Sequence, residues 1–330
     1  MSRPLEQRAQ IAPVTDGLPR PTWSVMIPTY NCARLLGETL QSVLDQAPGP
    51  GEMQIEVVDD GSSDDPEAVV RAVAGDRVVF HRQPQNVGHI RNFATCLNRA
   101  RGRYVHLLHG DDRVERGFYA ALQAGFEAAP EVGAAFCRHR FINVQSREIS
   151  IPEPEQPSPG VLAGGVERLA EEQRIMTPSI AVRREAYEKL GGFDPRLACS
   201  EDWEMWVRIA AHYPVWYEPS VLAGYRMHQE SNTGRHYRMA EELGYTRRAI
   251  EIFADYLPPQ KARAIVRRAR LTYADTALNN ARQLARSGDL RGMQAHLMEA
   301  IKMSSSPTVL RRAAKIAFTL NLNAGSADAA

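Results

Sequence analysis

Two adjacent carboxylates, Asp111 and Asp112, follow an apolar, strand-forming run and a glycine in the segment Tyr104–Asp112. At the carboxyl end of a strand in an open α/β sheet, both acids would face the ligand crevice. Their negative charges repel each other, and a divalent cation with oxygen ligands would relieve that repulsion. A helix cap after the strand accounts for one aspartate, but less readily for two. The pattern therefore predicts a platform for a metal ion and a diphosphate.

Two further polar segments could contact a nucleotide. Asp60 lies in Asp59-Asp60-Gly61-Ser62, where Asp, Gly and Ser also favour a plain turn after a strand. A carboxylate at that position could instead accept hydrogen bonds from a base or a ribose. Arg91 begins an amphipathic helix, where solvent exposure is the usual fate of an arginine. The alternative is a guanidinium that binds a phosphate or a nucleobase, assisted by the positive end of the helix.

Two later residues could complete a catalytic site. Glu201-Asp202 is most simply the acidic first turn of a helix. In the functional interpretation Asp202 is a general base, and the helix N-terminus lowers its pKa so that it is ionised. His228 is either a packed histidine after a strand or a ligand of the metal or the diphosphate.

The composition is that of an ordinary globular protein. Of the 330 residues, 44% are hydrophobic and 24% are charged, and the formal net charge of +1 argues against nucleic acid as a partner. The four cysteines form no metal-binding or disulfide pattern, which favours a reducing compartment. The N-terminus lacks the apolar core of a signal peptide, and no apolar run is long enough to cross a membrane. The cytoplasm is therefore the expected compartment.

Short apolar strands alternate with amphipathic helices, which predicts an α/β fold with a mainly parallel sheet. Right-handed crossovers would place the polar loops at residues 29–31, 59–62 and 109–112 along one edge of that sheet. The predicted strands are Trp23–Pro28, Ile55–Val58, Val78–His81, Tyr104–Leu108 and Ala134–Arg138, with a sixth from Phe141 to Val144 and a short one at Val215–Tyr217.

Patterning also predicts the domain boundaries. Residues 1–22 are expected to be a poorly ordered leader and residues 321–330 a disordered tail. Between them, we expect one α/β domain over residues 23–233, divided at residue 145 into two halves by a proline-rich connection. Residues 234–320 carry only helical patterns, and we expect these helices to pack on the core or to pair two subunits.

Seven motifs, in this order, resemble the family 2 glycosyltransferases over about residues 23–233. The motifs are Val25–Asn31, Val57–Asp64, Asn86–Asn92, Leu107–Asp112, Gly191–Asp194, Glu201–Trp203 and Tyr225–His228. The resemblance implies the GT-A fold, in which a Rossmann-like nucleotide half is joined to an acceptor half. It also implies inverting transfer of a sugar from a UDP-, dTDP- or GDP-sugar to a hydroxyl, in the synthesis of bacterial surface polysaccharide or glycoconjugate.

The resemblance assigns roles on the nucleotide side of the site. Pro28, Thr29 and Tyr30 would line the nucleotide pocket. Asp60 would hold the base, and Arg91 would reach the base or a phosphate.

The resemblance also assigns the metal, catalytic and acceptor residues. Asp111, a nucleotide-sugar contact as well, and Asp112 stand at the family's Asp-x-Asp position, with His109 in place of the first acid. Together with His228 they would hold Mn²⁺ or Mg²⁺, and Asp202 would be the general base. The acceptor side would be shaped by Gly192, Phe193, Asp194, Glu201 and Trp203.

Two other functions fit part of the pattern. A nucleotidyltransferase shares the Rossmann-like half and the metal-diphosphate chemistry, but it would release pyrophosphate rather than a nucleoside diphosphate. An inactive relative could act as a binding scaffold through its helical tail, although the retained acids argue against that. The acceptor could be a glycan, a lipid-linked molecule or another hydroxyl compound. Basic helices such as Lys261–Arg270 could assist peripheral membrane attachment, although a solvated face is the simpler interpretation.

Overall fold

The computed structural model describes residues 8–228 and 232–327, which form two compact units. The first unit holds the described residues up to Val166, together with Gln173–Arg196 and Glu201–His228. The second holds Glu167–Glu172, Leu197–Ser200 and the described residues from 232 onward. The second unit therefore takes two short segments that precede the predicted domain boundary at residue 233.

The first unit contains one mixed sheet. Its strands are β1 Trp23–Thr29, β2 Met53–Asp59, β3 Val79–Arg82, β4 Tyr104–Leu107, β5 Arg113–Val114, β6 Ala134–Ile142, β7 Glu148–Ser150, β8 Gly160–Val161, β9 Ile180–Arg183 and β10 Val215–Arg226. The order across the sheet is β3-β2-β1-β4-β9-β6-β10-β5, with β7 beside β6 and β8 beside β10.

Strand direction determines which loops meet. β3, β2, β1 and β4 are parallel neighbours, and β10 is parallel to β6. β9 runs antiparallel to both of its neighbours, β4 and β6. The carboxyl ends of β1, β2, β4 and β10 therefore share one edge of the sheet. This confirms the predicted mainly parallel α/β architecture and the common edge for the three polar loops.

Helices alternate with the strands in the first part of the chain, and the described residues from 232 onward form helices only. They are α1 Ala33–Leu44, α2 Pro66–Ala74, α3 His89–Arg99, α4 Phe118–Ala128, α5 Gly165–Glu171, α6 Arg184–Leu190, α7 Glu201–His212, α8 Asn232–Tyr237, α9 Glu241–Phe253, α10 Pro259–Arg286, α11 Leu290–Met303 and α12 Pro307–Ala327. The predicted all-helical C-terminal region is thus confirmed. Among the described residues, no helix combines the length and the apolar character that a membrane crossing requires.

The core lies between the sheet and its helices. All seven residues of β1 are buried, which is expected for a strand that parallel neighbours flank and helices cover on both faces. In α3 the buried Phe93, Cys96 and Leu97 recur at helical spacing and pack toward the sheet. α6 ends at Gly191, whose φ of 77° is a backbone conformation that glycine adopts without strain.

Three strand predictions were wrong. β6 continues to Ile142, where a separate strand was expected from Phe141. β10 runs unbroken from Val215 to Arg226, although only its first residues were expected to be extended. β9 was not predicted, because three apolar residues and an arginine between two helical patterns give too short a signal.

The segments expected to be a leader and a tail both contain described residues. Arg8 and Ile11 of the supposed leader are only 5% and 3% exposed. Arg8 Nη2 lies 3.0 Å from Asp194 Oδ2 and 3.1 Å from Glu204 Oε1. At the other end, α12 continues through Ala327, past the expected start of the tail at residue 321. Residues 1–7 and 328–330 lie outside the described range.

We predict that Arg8→Ala lowers the free energy of unfolding by about 1.5–3 kcal/mol, because it removes buried charge-assisted hydrogen bonds to two carboxylates. Asp194 retains Arg196 and Glu204 retains Arg208 as its second cation. Urea denaturation measures this loss. Arg71→Ala is the matched control, since Arg71 pairs with Glu67 at the surface and such pairs contribute at most about 1 kcal/mol. Equal effects of the two substitutions would show that the N-terminal segment does not stabilise the first unit.

Candidate active site

The three predicted loops meet at the carboxyl edge of the sheet. The Asp60 backbone N–H donates to the Thr29 carbonyl at 2.9 Å, which joins the loops after β1 and β2. The Asn31 N–H donates to Ser62 Oγ at 2.9 Å and makes a second link between them. The Gly110 N–H donates to the Pro28 carbonyl at 3.1 Å, which joins the loop after β4 to the same group.

Gly110 permits a close approach between these loops. A Cβ atom at this position would lie 2.7 Å from Thr29 Oγ1 and 2.9 Å from Cys32 Sγ. Both distances are shorter than van der Waals contact, so any side chain here would displace the turn that carries Asp111 and Asp112. The glycine in the His109-Gly110-Asp111-Asp112 motif therefore has a packing role.

His109, Asp111 and Asp112 form a cluster suited to a divalent cation. One ligand atom from each lies within 4.8 Å of the other two. Asp112 is only 1% exposed, and its Oδ2 has no hydrogen-bond partner among the described residues. The nearest cationic partner is His109 Nδ1, at 3.6 Å. A buried carboxylate oxygen without a partner is costly, and a cation bound by two carboxylates and an imidazole would satisfy it.

His228 lies beside this cluster. Its Nε2 is 2.9 Å from Asp111 Oδ2, at the carboxyl end of β10. The contact is with a candidate ligand, so the predicted role of His228 as a metal ligand itself stays a prediction. His109, in contrast, had been noted only as a departure from an acidic motif, and the structure places it inside the cluster.

Arg226, at the end of β10, holds the two aspartates in place. Its backbone N–H donates to Asp112 Oδ1 at 2.7 Å, and its Nε donates to the Asp111 carbonyl at 2.6 Å. The rest of the guanidinium is used as well, with Nη2 2.8 Å from Glu38 Oε2 and Nη1 2.8 Å from the Asn143 carbonyl. The side chain is fully buried, so the orientation of the acidic turn depends on these contacts.

The charges in the cluster perturb one another. Burial lowers the pKa of His109, but the Asp112 and Asp111 carboxylates outweigh it and raise that pKa to about 9. Burial raises the pKa of Asp112 to about 6, with the Asp111 charge acting in the same direction. Burial also acts to raise the pKa of Asp111, but the contacts with His228 and His109 prevail and lower it. The two aspartates titrate as a pair.

Asp202 lies in the first turn of α7 and is held by three donors. Gln173 Nε2 and Thr177 Oγ1 lie 2.8 and 3.3 Å from its Oδ2, and the Trp203 N–H lies 2.7 Å from its Oδ1. Burial and the negative charge of Glu201 raise its pKa to about 7. The expectation of a pKa lowered by the helix N-terminus is therefore wrong. A general base benefits from a pKa near the working pH.

A series of contacts connects Glu201, the residue before Asp202, with the acidic cluster. His109 stacks on Phe93 with a centroid distance of 5.4 Å, and His89 meets the same ring edge-on at 5.5 Å. His89 Nε2 lies 3.4 Å from Glu201 Oε1, next to Asp202. The sequence alone does not indicate this position of His89, because no partner at metal-ligand spacing marks it.

On the nucleotide side, Asp60 is engaged by the loop before α3. Its Oδ1 accepts from the Val87 N–H at 2.8 Å and its Oδ2 from the Gly88 N–H at 3.0 Å. Burial raises its pKa despite these bonds. Arg91 and Tyr30 are exposed at the same edge, whereas Pro28 and Thr29 are buried.

Most of the predicted acceptor residues contribute to the interior. Phe193 and Trp203 are 2% and 1% exposed. The Gly192 N–H donates to the Ala9 carbonyl at 2.8 Å. Asp194 is fully buried and pairs with arginine on two sides, at 3.0 Å to Arg8 and 2.6 Å to Arg196. All of these contacts are with other residues of the chain. These side chains would therefore affect acceptor binding through the packing of the site.

The sequence belongs to glycosyl transferase family 2, whose family model matches residues 24–191. The uncharacterized protein MT1568 of Mycobacterium tuberculosis is 31% identical over 230 residues, which are 66% of this chain and 70% of that relative. The protein is accordingly a glycosyltransferase.

Two solved structures share the fold. S. aureus TarS 1-349 in complex with UDP-GlcNAc superposes with a TM-score of 0.58 at 14% identity, covering 85% of this chain and 91% of that one. The mannosyltransferase PcManGT from Pyrobaculum calidifontis, in complex with GDP-Man and Mn²⁺, gives 0.59 at 22% identity, covering 96% and 84%. The expected GT-A fold is thereby confirmed.

We predict that Asp112→Asn weakens Mn²⁺ binding at least about tenfold, because it removes the negative charge of a buried ligand. The loss of such a charge costs about 1.4 kcal/mol of binding free energy or more. Calorimetric titration of the full chain with Mn²⁺ measures the change. Asp45→Asn, which alters a carboxylate beyond the end of α1, should leave the affinity unchanged. Retained Mn²⁺ affinity in the Asp112 variant would exclude this carboxylate as a ligand.

Proposed function

We propose that this glycosyltransferase moves a sugar from a nucleoside diphosphate donor to an acceptor hydroxyl by inverting single displacement. The observation that carries the proposal is the arrangement of two acidic sites in the first unit. One is the cluster of His109, Asp111 and Asp112, and the other is Asp202. The contacts through Phe93 and His89 link the two sites side by side.

On the donor side, the chain supplies a pocket for the nucleotide and a site for a divalent cation. Pro28, Thr29 and Tyr30 would line the nucleotide pocket, Asp60 would meet the base, and Arg91 would bind the base or a phosphate. The ligands of the two solved neighbours, UDP-GlcNAc in one and GDP-Man with Mn²⁺ in the other, support this assignment.

The acidic cluster would hold the cation. Asp111 and Asp112 supply carboxylate oxygens, His109 supplies an imidazole nitrogen, and His228 adds a further ligand or steadies Asp111. When bound, Mn²⁺ or Mg²⁺ supplies a positive charge that neutralises the diphosphate leaving group without a proton donor. The contacts of Arg226 fix the turn, so the ligand atoms require little rearrangement on binding.

On the acceptor side, Asp202 takes the proton of the attacking hydroxyl. Gln173 and Thr177 orient its Oδ2, and the Trp203 N–H fixes its Oδ1. Glu201 raises its pKa and thereby makes the carboxylate a stronger base. Gly192, Phe193, Asp194 and Trp203 form the packing behind it.

The acceptor, by this proposal, is a hydroxyl of a bacterial surface polysaccharide or glycoconjugate, and the reaction takes place in the cytoplasm. The first point follows from what the resemblance of the seven motifs implies. The second is supported by the four cysteines, which are free, because free thiols are usual in reducing compartments.

We predict that Asp202→Asn binds the donor with unchanged affinity but lowers the rate of transfer by about 10²–10⁴-fold, the usual contribution of a general base. Donor affinity is measured by calorimetry with Mn²⁺ present, and transfer by release of nucleoside diphosphate. Asp45→Asn serves as the matched carboxylate-to-amide control and should leave both quantities unchanged.

The identity of the released product tests the proposed reaction itself. Release of pyrophosphate would indicate a nucleotidyltransferase. Donor binding by the wild-type protein with no transfer to any of a panel of acceptors would favour a scaffold. Near-normal transfer by the Asp202 variant would remove its role as the base.

We predict that the transfer rate falls as the pH drops below about 7, because protonated Asp202 cannot accept the hydroxyl proton. The substitution Glu201→Gln removes a negative charge that raises this pKa. It should therefore move the acidic limb of the pH profile to lower pH. An unchanged limb in the Glu201 variant would contradict the assignment of this limb to Asp202.

A further inference from the structure

The helical unit contains a cavity of about 360 Å³ that the proposed reaction does not use. One wall is the first half of α10, which contributes Arg263, Arg267 and Arg270. These positions are spaced four and three residues apart, so the three side chains occupy one face of the helix. Val266 and Met303 add apolar surface between and opposite them. The cavity thus combines an apolar lining with a row of guanidinium groups.

The basic residues of this helix divide into two sets by their partners. Lys261 and Arg268 form ion pairs with Glu167 and Glu171 of α5. Within the described ranges 8–228 and 232–327, no carboxylate lies within 4.0 Å of Arg263 or Arg267, which are both exposed. The ion pairs with α5 therefore neutralise Lys261 and Arg268, which do not line the cavity. The positive charges of Arg263 and Arg267, which do line it, are not neutralised in this way.

Arg270 lies at the inner end of the row. Its Nη2 is 3.3 Å from Glu251 Oε1. Its Nε is buried and has no hydrogen-bond partner in the part of the chain that the structure describes. A buried donor without an acceptor is unfavourable, so a ligand oxygen at this position would stabilise the site.

The charge of the surrounding helices acts in the same direction. Residues 256–318 contain twelve lysines and arginines but only three aspartates and glutamates, although the whole chain has a net charge of +1. Three guanidinium groups around one cavity repel one another unless an anion lies between them.

We propose that this cavity binds a phosphate group that carries an apolar chain, as in a phospholipid head group or a soluble alkyl phosphate. Phosphate oxygens accept paired hydrogen bonds from the planar guanidinium groups of Arg263 and Arg267, and the charge of Arg270 adds to the attraction. Val266 and Met303 contact the first part of the chain. This site is separate from the transfer chemistry and does not depend on it.

The test is calorimetric titration of the 330-residue chain with dihexanoyl phosphatidic acid below its micellar concentration. It should bind at least about tenfold more tightly than inorganic phosphate, since burial of a few methylene groups contributes more than 1.4 kcal/mol. Arg263→Glu with Arg267→Glu should weaken binding at least about tenfold through the loss of charge-assisted hydrogen bonds.

The matched control is Arg282→Glu with Arg286→Glu, which reverses two charges at positions four residues apart on the same helix. Both arginines are also exposed. Equal weakening by both pairs would show a diffuse charge effect and overturn the proposal, as would equal affinity for inorganic phosphate or no binding at all. Circular dichroism confirms folding, and Arg263→Gln with Arg267→Gln replaces the first pair if charge reversal unfolds it.

Sedimentation with vesicles separates the two sources of the ligand. Binding to phosphatidylcholine vesicles that contain phosphatidic acid, lost in the Arg263–Arg267 pair but not in the control pair, identifies a bilayer head group. Binding of the short-chain lipid alone identifies a soluble molecule. Either result supports the phosphate site.

Discussion

The geometry of the candidate active site depends on the buried guanidinium of Arg226. Its backbone and side chain bind Asp112 and the carbonyl of Asp111. Glu38, Asn143 and Ser146 accept further hydrogen bonds from the guanidinium. An arginine that is fully buried requires such compensation, because its charge cannot be solvated. The result is a rigid turn in which two carboxylates are held close together, at a cost that a bound cation would offset.

Burial and neighbouring charges also give the acids of the two sites different pKa values. In the cluster, the contacts with His228 and His109 lower the pKa of Asp111, so that it stays ionised as a ligand. At α7, burial and the Glu201 charge raise the pKa of Asp202, which suits a group that must accept a proton. In the proposed reaction, this difference in environment suits Asp111 to cation binding and Asp202 to base catalysis.

The sequence was sufficient for the fold class and for the common edge of the three loops, because parallel strands have their carboxyl ends on one side. It was not sufficient for contacts between residues far apart in the chain. Arg8 was assigned to a disordered leader because its partner Asp194 lies 186 residues away. The pKa of Asp202 was predicted in the wrong direction because burial outweighs the helix dipole. The contacts of His89 with Phe93 and Glu201 were not predicted, because they are made by tertiary packing and belong to no sequence motif.

The central claim is that the loop after β4 holds a cation against the donor diphosphate. The most direct test is the anomalous scattering of Mn²⁺ in crystals grown with a nucleoside diphosphate. The account predicts one strong peak among His109, Asp111 and Asp112, within about 2.0–2.6 Å of a carboxylate oxygen, as hard cations bind. A bound nucleotide with its Mn²⁺ coordinated elsewhere, or with no Mn²⁺ at these residues, would contradict it.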